Sequence, residues 1–252
     1  MTSTTASLRQ EDIAFQSNLY DSANPTRRWL HNARREWVMQ TIEQVAPSQP
    51  FFLEVGIGCG IYTTWMAHRG KVTALDINPD FVAAANQFPS VNALVSDIMT
   101  SVFPPSHDVA VCSEVIEHIP DSQAALRNIR ASLKPGGYLI LTTPNSYSTM
   151  ELAARLLAFG PVVKLARKIY GESVDDLGHI NRLTHSQLRA QIDAAGLTVV
   201  RQTDLAFYIP VVAEFFGQAG QRICQWFANR LRGTALSGLL WTQCWVLRRP
   251  VE

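Results

Sequence analysis

Three glycines, Gly56, Gly58 and Gly60, follow the short apolar run Phe51–Val55 and open a segment of helical character. Small residues at a strand-to-helix turn let the backbone approach a ligand and take positive φ without a Cβ penalty. The helix start behind them offers amide donors to an anionic group. A nicotinamide-dinucleotide fingerprint spaces its glycines as GxGxxG. Here the spacing is GxGxG, and Ile61 stands where the third dinucleotide glycine belongs. The triplet alone is equally compatible with an ordinary tight turn.

Two carboxylates extend the pattern. Asp76 closes the next apolar run, twenty residues after Gly56. At that sheet edge a carboxylate can accept hydrogen bonds from two ribose hydroxyls. The plainer role is a helix-start acid, since Asn78-Pro79-Asp80 follows directly. Asp97, within Ser96-Asp97-Ile98, ends a third run and is placed to reach the exocyclic amine of an adenine, with Ile77 and Ile98 on its two faces. Standing alone, it would be a turn residue.

A third set is Glu114, Glu117 and His118, at i, i+3 and i+4. One helical turn would place all three side chains on one face. Two carboxylates and an imidazole can hold a divalent cation, with His179 as a fourth ligand. The competing reading has His118 capping the loop before Pro120 and Glu117 solvated. A metal is therefore possible but not favoured.

Behind these residues the chain alternates. Between Pro25 and Val45, Trp29, Ala33, Trp37 or Val38, and Ile42 recur at helical spacing. Strands are expected at 51–55, 71–76, 91–95, 108–112 and 138–142, and helices at 61–69, 80–87 and 122–133. Strands separated by helices of this length point to a parallel α/β sheet with right-handed crossovers. Thr184 reads as the N-cap of a helix ending at Gly196. Strands near 197–203 and 239–247 follow with no helix rhythm between them, so they are expected to pair antiparallel at one edge.

At 252 residues the chain can bury one substantial core, and 47% hydrophobic with 17% charged residues describes a globular chain. A net charge of +1 gives no global field for nucleic acid, and no nucleic-acid partner is expected. Cys59, Cys112, Cys224 and Cys244 form no CxxC pair, which argues against a zinc knuckle or a disulfide framework. The polar first ten residues show no secretory signal, and a cytoplasmic location, with membrane-peripheral placement as the variant, is expected.

The runs LEVGIGCG, ALDINPDFV, SDI, VCSEVIEHIPD and LKPGGYLILTTPN occur in that order. Together they resemble the successive motifs of class I S-adenosylmethionine-dependent methyltransferases, in the branch of the ubiquinone-biosynthesis O-methyltransferases and related small-molecule enzymes. The resemblance is strong over residues 50–145 and extends more weakly over Gly178–Thr184. It implies a Rossmann-like, seven-stranded, mostly parallel sheet with helices on both faces, one antiparallel edge strand and a helical lid. It also implies S-adenosyl-L-methionine as cofactor and a small-molecule or lipid-like acceptor, methylated at oxygen. By resemblance, Glu54 and the glycines line the methionine moiety, Asp76 and Ile77 hold the ribose and the adenine edge, and Asp97 and Ile98 hold the adenine. Ser113 and Glu114 border the sulfonium. Tyr20, Arg28 and His31 close the pocket, with Arg28 pairing with the cofactor carboxylate. Transfer to a hydroxyl needs a general base, for which His118 and His179 are the candidates.

The whole chain, 1–252, reads as a single domain: a helical cap (1–48), a cofactor-binding core (49–145) and helical insertions at 146–178 and 210–233. Both insertions mix apolar stripes with arginine and lysine. Such stripes suit an acceptor lid, peripheral membrane contact, a homodimer interface or ordinary packing. A nicotinamide oxidoreductase and a non-catalytic binding protein are the alternatives. The glycine spacing, Asp97 and the Pro-Gly-Gly turn count against the first, and the intact acids against the second.

Overall fold

The computed structural model describes residues 17–157 and 180–251. His179 and most of the first insertion lie outside the described residues.

Helix α1, Pro25–Val45, begins where Asn24 accepts from the amides of Thr26 and Arg27, with proline at the first helical position. This is the combination that satisfies orphan donors at a helix start. Five strands and three helices follow: β1 Phe51–Val55, α2 Ile61–Ala67, β2 Lys71–Asp76, α3 Pro79–Ala85, β3 Val91–Val95, β4 His107–Ser113, α4 Ser122–Ser132 and β5 Leu133–Pro144. β5 begins earlier than its apolar run, because Gly136, at φ +81°, and Gly137 carry the strand through the Pro-Gly-Gly segment. After α5, Thr149–Leu157, come α6 His185–Ala194, β6 Thr198–Leu205, α7 Pro210–Phe215, α8 Gly217–Leu231 and β7 Thr242–Arg248. Thr184 and Gln187 form a reciprocal capping box on α6, and Gly196 ends it at φ +73°.

The seven strands are ordered β3-β2-β1-β4-β5-β7-β6. The first five are parallel, and β7 runs antiparallel to both β5 and β6. The antiparallel strand thus sits one place in from the edge, with β6 outermost. Side chains alternate across the sheet with period two. Leu53, Ala110 and Cys112 face a layer built with Leu126 and Ile129 of α4 and Leu188 and Ile192 of α6. Phe52, Val109 and Val111 face Val38 and Ile42 of α1 and Met66 of α2. Each fully buried leucine, isoleucine, valine, phenylalanine or methionine among these contributes about 1.5–3 kcal/mol.

The chain steps outward from β1 to β2 and β3, then returns to place β4 on the other side of β1. At that reversal the loops leaving β1 and β4 diverge, and they open a crevice at the carboxyl ends of the strands.

Candidate active site

The crevice is a cavity of about 780 Å³, a size that holds a nucleoside-containing ligand and an acceptor together. Its floor is the four loops that leave β1 to β4. Gly56, at φ +83°, lies so close to Val115 that an added Cβ would stand 2.3 Å from Val115 Cγ2. Gly58 and Gly60 also take positive φ. The glycines therefore serve a left-handed turn with a tight contact between two loops.

Asp76 is the hub of this floor. Its Oδ2 accepts from the amides of Ile57 (2.8 Å) and Gly58 (3.2 Å), and its Oδ1 from the amide of Asn78 (2.8 Å). Asp97 accepts from the Met99 amide at 2.8 Å. Ile98 is buried, whereas Ile77 is 76% exposed, and both line the cavity. Glu54 lies under the glycine loop, 1% exposed, with Oε2 accepting from Thr63 Oγ1 at 2.5 Å. Burial pushes its carboxyl up to about 8; the Thr63 hydroxyl opposes this and the charge of Asp76 adds to it. Its Oε1 has no partner among the described residues.

Beyond the floor the wall is polar in an unexpected way. Glu114 leaves β4 in the left-handed region, at φ +56°. Its Oε1 accepts from Thr142 Oγ1 and Thr242 Oγ1, both at 3.0 Å, and its Oε2 pairs with Arg34 Nη1 at 2.8 Å. Arg34 is 7% exposed, and its guanidinium stands 4.8 Å from the Trp241 ring centre. Burial, the largest single influence, would depress its pKa, but the Glu114 carboxylate together with Tyr20 and Tyr62 outweighs it and raises the pKa. Ser113 Oγ shares a hydrogen bond with Thr142 Oγ1 at 2.9 Å. His31 is packed edge-on between Tyr20 and Trp241. Burial, with Arg34 and Arg27 nearby, drives its pKa down to about 3, so the ring is neutral.

Several expected residues meet here: Gly56, Gly58, Asp76, Ile77, Asp97, Ile98, Ser113, Glu114, His118, Tyr20 and His31 all line one crevice, whereas Glu54, buried beneath the glycine loop, and Gly60 are not part of its lining. Arg28 does not. It donates to Ser22 O at 2.8 Å, and the arginines lining the cavity are Arg27 and Arg34. The reason is helical phase: positions 27, 30, 31 and 34 share one stripe, and 28 lies about 100° away.

The single helical face expected for Glu114, Glu117 and His118 does not form either. Only Ile116–His118 is helical, as a 3₁₀ turn, and Glu114 stands outside it with positive φ. Glu117 is not solvated but 2% exposed, with Oε2 accepting from Thr143 Oγ1 at 3.0 Å. Burial first, then the charge of Glu114, pushes its pKa well above the ordinary carboxylate range. His118 is exposed. No group of three potential metal ligands occurs among the described residues.

Residues 27–202 match the methyltransferase-domain family, and the chain belongs to it. It is a class I S-adenosylmethionine-dependent methyltransferase. A ubiquinone biosynthesis O-methyltransferase of Pseudomonas fluorescens is 32% identical over 178 residues, 68% of this chain and 74% of that protein. One of the same name from Aeromonas salmonicida is 28% identical, over 65% of this chain and 68% of that protein. Other relatives of that name are matched over less of their length, 58% for one from Xanthomonas euvesicatoria. An S-adenosylmethionine-dependent methyltransferase from Mesorhizobium loti has the same fold, with a TM-score of 0.59, 16% identity, and coverage of 85% of this chain and 96% of that one.

Proposed function

We propose that this enzyme methylates a hydroxyl on a small, largely apolar acceptor, by in-line displacement within the crevice between β1 and β4. The observation that carries this reading is the continuity of one cavity, from the acidic floor at Asp76 and Asp97 to an aromatic wall of Tyr20, Trp241 and Tyr208. The names of the relatives favour oxygen as the methylated atom.

The floor fits the cofactor. Asp76 holds the ribose, Asp97 takes the adenine amine, and Ile77 and Ile98 enclose the ring. Glu54, Gly56, Gly58 and Gly60 border the methionine end in this scheme, with Glu54 beneath the loop. Ser113 borders the sulfonium, and Arg27 replaces Arg28 as the arginine for the cofactor carboxylate. S-adenosylmethionine supplies a methyl already activated as a sulfonium substituent, so the protein's part is alignment and the exclusion of water.

Glu114, committed to Arg34 and two threonines, acts as a fixed negative wall rather than as a proton carrier. His118, exposed at the cavity rim, is the base in this scheme, and His179 is the second candidate. The cap, core and insertions (1–48, 49–145, 146–178 and 210–233) form one catalytic domain.

The test is methyl transfer from labelled S-adenosylmethionine to a panel of phenols, catechols, amines and thiols bearing short or long apolar tails. Labelled ether from the tailed phenols or catechols is expected. Label confined to amines would overturn O-methylation, and no cofactor binding by calorimetry would overturn the whole reading.

A further inference from the structure

Most large apolar side chains among the described residues are inside, and nearly half of those that are not gather in one place. Thirteen large hydrophobic residues are exposed among the described residues, and six of them lie between positions 211 and 236. Val211 and Phe215 of α7, Phe216 at the junction, Ile223 and Trp226 of α8, and Leu236 beyond it are 40–66% exposed. The clustering is local to this helical pair, because α8 already buries a full stripe, Gly220, Cys224 and Ala228, against the body. Its exposed apolar residues belong to a second face.

The charge on this pair has one sign. Segment 210–236 contains a single acid, Glu214, and three arginines, Arg222, Arg230 and Arg232. Glu214 is turned inward, held by Arg27 at 2.9 Å and by Asn24 at 3.2 Å. Arg222 and Arg230 are exposed on α8, and the Arg230 guanidinium stands 5.2 Å from the Trp226 ring centre. An apolar face bearing tryptophan and phenylalanine, flanked by arginines and carrying no outward carboxylate, is complementary to an anionic phospholipid surface. A second copy of the chain would instead bring like charges together.

We propose that α7 and α8 dock this enzyme on anionic membranes, with Phe215, Phe216 and Trp226 entering the headgroup boundary and Arg222 and Arg230 meeting phosphate. No helix among the described residues is long and apolar enough to cross a membrane, so the contact is peripheral. The chain passes directly from the cavity-lining Tyr208 into α7, which puts the docking face next to the acceptor end of the crevice. The inference concerns a surface, and it stands or falls independently of which acceptor is methylated.

The experiment is flotation of the full chain with vesicles of phosphatidylcholine alone, or with about 30 mol% phosphatidylglycerol, at low and high salt. Retention on the anionic vesicles, reduced by salt, is expected. The F215S/W226Q variant should bind them about tenfold more weakly or worse, with an unchanged thermal melt. R222E/R230E reads the same face without touching an apolar residue, and it should erase the preference for anionic vesicles. Equal retention on both vesicle types, or undiminished binding by R222E/R230E, would overturn the proposal. So would a dimer in light scattering that dissociates on W226Q, since the face would then belong to a second copy.

Discussion

The Asp76 carboxylate accepts three main-chain amides, which occupies three of its roughly four lone-pair directions and fixes its orientation. In the proposed complex a ribose hydroxyl would take the remaining direction or displace the long Gly58 contact. Asp76→Ala is therefore expected to weaken S-adenosylmethionine binding at least about tenfold, from a loss of about 1.5–3 kcal/mol per charge-assisted bond. Calorimetry checks this, and unchanged affinity would remove Asp76 from the ribose. Glu54 gives a second prediction. Its carboxyl ionises near 4.5 in the unfolded chain and near 8 in the folded one. Between those values the folded state keeps a proton that the unfolded state has released, so stability is full below the lower value and falls as pH rises through the window. Urea midpoints measured across that range should fall in the native chain and fall less in Glu54→Gln. Glu117 acts in the same direction, so the double substitution should be flatter still. The positions of the glycine loop, Asp76 and Asp97 were legible because they follow from strand ends. The state of Glu117 was not: its burial depends on a turn that is 3₁₀ rather than α-helical.

Helix α1 shows how far a pattern carries an element. Its limits at Pro25 and Val45 follow from the Asn-Pro start and the apolar spacing. Its inward face follows only in part. The buried positions are Thr26, Leu30, Arg34, Val38, Thr41 and Ile42, so the apolar spacing finds Val38 and Ile42 but selects Trp29 and Ala33 where Leu30 and Arg34 turn inward. In that first half the two stripes differ by one residue, because an arginine on the inner face looks like a solvent position until its partner Glu114 is known. That partner lies eighty residues away and comes from another element. Arg34→Ala leaves the part-buried Glu114 without its countercharge, for an expected cost of about 3 kcal/mol, the low end for a buried pair. Combining it with Glu114→Gln should restore part of that loss, and a double-mutant cycle by chemical denaturation reads the difference. Additive losses would show that the two side chains do not interact.

For the molecule as a whole, the alternation of strands and helices between 51 and 144 was sufficient to expect a parallel α/β sheet. The register at the far end was not readable locally. β7 inserts between β5 and β6, pairing Arg248 with Tyr138 and with Thr198. The β5 side of that choice joins Tyr138 to Arg248, 110 residues apart in sequence, and no local periodicity encodes it. β6 has no other neighbour in the sheet. Deleting the chain from Thr242 onward should therefore strip β6 from the sheet and expose Leu139 and Leu141. The truncated chain is expected to lose cooperative thermal unfolding while keeping helical circular dichroism. A sharp, native-like melt would contradict this account of the edge.

Glu214 ties these scales together. Its carboxylate is gripped by Asn24, which also caps α1, by Arg27, which lines the crevice, and by Tyr208, which lines it from the opposite end of the sequence. One carboxylate is thus a knot between the entry of the first helix and the root of the exposed hairpin. On the proposed docking, a tilt of the hairpin would be carried through this carboxylate to Arg27 and Tyr208, two walls of the crevice.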